Sequence, residues 1–105
     1  MRLALILQAA ILMTGTGWAC AQEYPIPNKP LRIVTTSTGS SSDFSARMLA
    51  QGLTEGLGRS VIVDNRPAGV TAGQAVVQSP PDGHTLLVNG GVFWLRPLLS
   101  SDVPY

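Results

Sequence analysis

Residues 60–64 read Ser-Val-Ile-Val-Asp, and this unbroken β-branched run constrains the fold more than any other feature. A strand with one wet face alternates apolar and polar residues. A continuous run marks a strand covered on both faces, the usual setting of a parallel sheet. Two further short runs, LRIVT at 31–35 and HTLLV at 84–88, are bounded by turn residues and are predicted strands. Helical patterning fills the intervals. Ala46, Leu49, Ala50, Leu53 and Leu57 recur at i, i+3, i+4, i+7 and i+11, one apolar stripe. Ser41 or Ser42 is the expected cap, Asp43 stands in the first turn, and Gly58 is the expected left-handed stop. Phe44 and Met48 point away from the stripe. Extra core at the helix start is the plainer reading for them, and the interior of a cleft or a second layer is the other. Residues 71–78 predict a weaker helix with Ala72, Ala75 and Val76 inside. Phe93, Trp94, Leu95, Leu98 and Leu99 suggest a last helix interrupted by Pro97. Short connections between such units imply an α/β fold with a parallel sheet and right-handed crossovers.

Ahead of this pattern stands an export signal. Met1-Arg2 is basic, residues 3–13 are apolar apart from Gln8, and Ala19-Cys20-Ala21 places small residues where a signal peptidase reads. Cleavage after Ala21 is expected, so residues 1–21 are a signal peptide and the product acts outside the cytoplasm. A membrane anchor needs about 20 apolar residues, and this run is shorter. Lipidation at Cys20 is the rival reading, but it calls for an aliphatic residue where Gly17 stands.

The remaining 84 residues carry six basic and six acidic side chains, with no cysteine. That neutrality, without a basic face, argues against nucleic acid as a partner. Intramolecular disulfides and thiolate metal sites are excluded from the cleaved product. The prolines of residues 22–30 favour an extended lead-in. A chain this short buries only about 60–65% of its unfolded surface, which suggests an incomplete domain.

In open parallel sheets ligands bind at the carboxyl ends of the strands. Two loops qualify, Ser37-Thr38-Gly39-Ser40-Ser41-Ser42-Asp43 and Asn89-Gly90-Gly91. The first offers hydroxyls and backbone N–H groups to an anion at a helix start, though a solvated turn with a cap reads equally well. No dinucleotide loop, phosphate loop or nucleophile elbow occurs. His84 is the only histidine and reads as a strand-start residue, and Arg66 as a turn residue with an ion-pair partner. Without a nucleophile–base pair there is no enzymatic reading, and no cofactor is expected.

Taken together, YPIPNKPLRIV, the Gly/Ser loop ending in Asp43-Phe44, ARMLAQGLTEGLG, SVIVDNRP, PPDGHTLLVNGG and VPY resemble the start of the tripartite tricarboxylate transporter substrate-binding receptors, the Bug family. The resemblance implies a periplasmic-binding-protein-like, type II Venus-flytrap receptor. Residues 22–105 would then be only the first β-α-β-α-β part of lobe one. It also implies a small carboxylate solute, permease subunits as membrane partners, and no stable membrane insertion after cleavage. The family's first loop typically carries a glycine pair before the aspartate. Gly39 and Ser40 stand at that pair, followed by Ser41, Ser42 and Asp43. Asn89, Gly90 and Gly91 match the loop after the third strand. The family's glycine-rich loop after Asn65-Arg66-Pro67 is shortened, and His84 stands where tyrosine is usual. A second reading is a small secreted interaction domain that associates through Phe93, Trp94, Leu95, Leu98 and Leu99.

Overall fold

Aliphatic and β-branched runs become three strands, β1 (Leu31–Thr35), β2 (Val61–Asn65) and β3 (Thr85–Leu87). They alternate with helices α1 (Ser41–Leu57), α2 (Gly69–Val77) and α3 (Gly91–Leu99). The computed structural model describes residues 23–105, so the expected leader and its cleavage point lie outside the described residues. All pairing is parallel, in the order β2-β1-β3. Leu31 stands opposite Val61 and Thr35 opposite Asn65, while Arg32 pairs with Thr85 and Val34 with Leu87.

This order revises one expectation. The strand covered on both faces is β1, in which Leu31, Ile33 and Val34 are all essentially buried. Ile62 of β2 is 49% exposed, because β2 forms an edge of the sheet among the described residues. Lateral position, not the strength of the run, decides which strand is sealed.

Helix α1 packs on one face of the sheet. Its small residues Ala46 and Ala50 let the backbone approach Ile33, with Leu53, Val61, Val63 and Val88 around them. The outer members of the stripe, Leu49 and Leu57, remain exposed, as do Phe44 (67%) and Met48 (62%). Extra core at the helix start is therefore not what Phe44 and Met48 supply. The buried face of α1 is the narrow line of alanines over a three-stranded sheet.

Helix α2 begins two residues before its expected start and buries Ala72 and Gly73. A Cβ on Gly73 would stand 2.7 Å from Phe93 Cε2 and 3.0 Å from Tyr105 Cδ1, so the missing side chain is what lets α3 and the C-terminal residues close on α2. Those two rings are stacked with centroids 4.3 Å apart, which leaves neither free to yield. Gly73→Val is expected to cost about 1–3 kcal/mol by overpacking. A urea melt measures it, and a midpoint equal to that of the unaltered chain would remove this packing account.

Helix α3 does not break at Pro97, which lies inside it. Proline has no N–H, so the carbonyl four residues earlier, Phe93 O, loses its intrahelical donor. The phenol of Tyr105 donates to that oxygen at 3.0 Å in its place. Tyr105→Phe keeps the ring and removes the donor. The expected loss is about 1 kcal/mol, with no change in Gly73→Val sensitivity.

His84, expected as a strand start, precedes β3 and is fully buried. Its Nε2 accepts from Ile26 N–H at 3.0 Å, which leaves Nδ1 to donate to Asp82 O at 3.1 Å. The Tyr24 hydroxyl donates to Gly83 O at 2.9 Å, and Lys29 pairs with Asp82. The Lys29 hydrogen bond, followed by that from His84 N–H, holds the Asp82 carboxyl below its ordinary range. Together these contacts pin the proline-rich lead-in to the turn before β3.

Candidate functional site

The carboxyl ends of all three strands open into loops that start helices, and side chains knit these loops together. After β1 the chain reaches Gly39, whose φ of +82° is a left-handed conformation that glycine adopts without strain. No atom stands within 4 Å of a Cβ built there, so the glycine answers to backbone shape and not to crowding. Ser40, one residue earlier than expected, is the cap of α1. Its Oγ accepts from Asp43 N–H at 3.1 Å and lies 2.9 Å from Thr36 Oγ1.

Asp43 is turned inward and is 4% exposed. Its carboxylate accepts from Gly39 N–H at 2.9 Å, from Asn65 Nδ2 at 2.8 Å and from Arg47 Nε at 3.1–3.2 Å. The Asn65 hydrogen bond, then that from Gly39, lowers the carboxyl from 3.8 to about 2. Asp43 is therefore ionised, and its charge is matched by Arg47. Asn65 Nδ2 also donates to Thr36 O at 2.8 Å, and Arg47 reaches Asn65 Oδ1 at 3.3 Å. Sequence reasoning missed Asn65 and Arg47. The i, i+4 spacing of Asp43 and Arg47 was a readable signal, whereas Asn65 meets the loop only because β2 lies beside β1.

Of the hydroxyls in this loop, Ser37 donates to Pro67 O at 3.0 Å. Thr38 and Ser41 are exposed, and Ser42 is half-buried. Thr35 Oγ1, at the end of β1, is buried without a partner among the described residues. Arg66 holds Asp64 at 2.8 Å, the ion pair expected of a turn residue.

The third loop joins the other two. Asn89 Oδ1 accepts from Gly90 N–H at 2.8 Å, and Asn89 Nδ2 donates to Gly69 O at 3.2 Å, at the start of α2. A Cβ on Gly90 would lie 3.4 Å from Ser42 Oγ, which places the start of α3 beside the start of α1. Gly90 and Ala68, the caps of α3 and α2, contribute no side-chain cap. Three helix N-termini thus share one edge, where first-turn N–H groups lack intrahelical acceptors and the local potential favours an anion.

A concavity of about 470 Å³ lies elsewhere, lined by Asn28, Lys29, Pro30, Leu57, Gly58, Arg59 and Ser60. That is the amino end of β1 and β2. In an open parallel sheet the carboxyl-end loops are the ligand face, and here the starts of α2 and α3 border a smaller hollow of about 140 Å³. Among the described residues no group of three His, Cys, Asp or Glu side chains is placed to hold a metal, and no helix is long and apolar enough to cross a membrane.

Comparison with known proteins finds relatives across nearly the whole chain. A UPF0065 protein of Bordetella bronchiseptica is 39% identical over 98% of this chain, and a second, from Bordetella pertussis, is 34% identical over 95%. Protein BugT of Bordetella pertussis is 41% identical over 75% of it. The chain spans about a third of the length of the first two, at 32% and 31%. The family described as the tripartite tricarboxylate transporter family receptor matches residues 45–105, which run from the first turns of α1 through both later loops. With that family matched over more than half of the chain and a relative 39% identical over 98% of it, this chain belongs to the tripartite tricarboxylate transporter receptor family.

Proposed function

We propose that this chain carries one wall of an extracytoplasmic solute receptor, periplasmic and non-enzymatic, that captures a small carboxylate for a membrane transporter. The observation that supports it most is the convergence of three helix starts at one edge, where the one carboxylate of the first loop is already matched by Arg47. An anion meeting that edge encounters N–H dipoles and hydroxyls without an uncompensated negative charge.

The expected site residues divide into two roles on this reading. Thr38, Ser41, Ser42 and Gly91 touch the solute, through hydroxyls and first-turn N–H groups. Ser37, Gly39, Ser40, Asp43, Asn89 and Gly90 hold the loops in shape, because their polar groups are engaged within the protein. The solute is released to permease subunits. Residues 22–105 correspond to the first β-α-β-α-β part of lobe one of a type II Venus-flytrap receptor. Since such receptors bury the ligand between two lobes, one wall alone binds weakly.

Calorimetric titration of a dicarboxylate against the chain tests this. Binding is expected to be weaker than about 1 mM, roughly 4 kcal/mol, and a diamide of the same shape should give no heat. Ser42→Leu should abolish the dicarboxylate heat, since a leucine there would fill the space before Gly90. Equal heats from diamide and dicarboxylate would refute an anion-directed edge. Micromolar binding by the chain alone would refute the one-wall reading.

A further inference from the structure

Helix α3 carries apolar residues on both its sides. At about 100° per residue, Trp94, Leu98, Leu95, Leu99 and Val92 fill a continuous arc of about 160°. All five are exposed, Trp94 at 73%, Leu98 at 82% and Leu99 at 81%. Phe93 and Arg96 lie on the opposite side, where Phe93 stacks on Tyr105, so Phe93 is not part of the outer surface. A helix that is hydrophobic all round is a buried helix, yet among the described residues α3 meets protein through its Phe93 side.

We infer that the Trp94-Leu95-Leu98-Leu99 face is the docking surface for the remainder of a receptor of this family, the two thirds or so of the relatives' length that this chain does not span. The relatives match 98% and 95% of this chain, so a counterpart of α3 exists in them together with enough further polypeptide to cover it. A contiguous apolar surface of this kind on one helix is the mark of an interface. The inference rests on family membership and not on the solute, so it stands or falls apart from carboxylate binding.

The test is co-production of the full chain with the separately encoded portion of the Bordetella bronchiseptica relative outside the matched segment. Sedimentation and hydrogen exchange are then read on the product. A one-to-one complex with α3 protected is the expected result, weakened at least tenfold by Leu95→Glu with Leu98→Glu and unchanged by Met48→Glu on α1. Circular dichroism of the isolated charged variant checks that its helices persist; if they do not, Leu98→Ala with Leu99→Ala, which keeps α3 helix-forming, should show the same weakening. A homodimer of the chain alone with α3 protected assigns the face to a second copy and overturns the inference. So does a monomer in which α3 stays exposed beside the added portion.

Discussion

Ile33→Ala is expected to abolish the cooperative unfolding transition of this chain. Ile33 is 1% exposed at the centre of the central strand, against Ala46 and Ala50 of α1. Truncating a buried isoleucine to alanine costs about 2–5 kcal/mol, the upper end applying where neighbours cannot collapse into the space. Here they cannot, because the facing residues are alanines on a helix already held close. Small domains hold only about 5–15 kcal/mol in all, and the buried apolar set is short: Leu31, Ile33, Val34, Ala46, Ala50 and Ala72. Denaturant titration followed by circular dichroism reads the outcome. Ile33→Val, costing about 0.5–1.5 kcal/mol, should retain a shifted transition. A cooperative transition of undiminished midpoint in the alanine variant would show that the core lies elsewhere.

The second large effect concerns the polar network under the first loop. Asn65→Asp removes the amide that donates to Asp43 and Thr36 O and puts a carboxylate where a donor stood, 2.8 Å from Asp43. The expected cost is about 1–3 kcal/mol at neutral pH, with an inverted response to acid. In the unaltered chain Asp43 titrates at about 2 against an ordinary 3.8. The lowered value means that its contribution is full above 3.8 and fades as pH falls toward 2. In the variant two carboxylates share the site, so one of them is raised above its ordinary value. A raised carboxyl stabilises below its unfolded pKa and loses that contribution as pH rises, so the variant should gain stability on acidification toward pH 4. Melting midpoints across that range distinguish the two slopes. Parallel curves for the two proteins would mean that Asn65 does not govern Asp43.

Much of the architecture was legible because it follows from local spacing. Ala46, Ala50 and Leu53 announced the inner face of α1, and Gly58 its left-handed end at φ +60°. The cap was displaced by one residue because Ser40, Ser41 and Ser42 are chemically alike. What selects Ser40 is its reach to Asp43 N–H three residues on. Other features depended on partners distant in sequence. The fate of Ile62 depended on which strand took the centre, and the burial of His84 on Ile26. Pro97 suggested an interruption that did not occur, since the donor that compensates it comes from Tyr105. The candidate site was legible as two loops. Their meeting at Ser42 and Gly90, and the role of Asn65 between them, came from parallel pairing with β1 at the centre.

On the proposed reading the carboxyl edge of the sheet, and not the larger concavity at its other end, receives a carboxylate. Residue-resolved NMR of the isotope-labelled chain during titration with a dicarboxylate tests it most directly. Amide shifts confined to Ser41, Ser42, Gly90 and Gly91, and absent with the matching diamide, are the predicted result. Shifts centred instead on Gly58, Arg59 and Ser60, or none at a dicarboxylate concentration of about 100 mM, would contradict it.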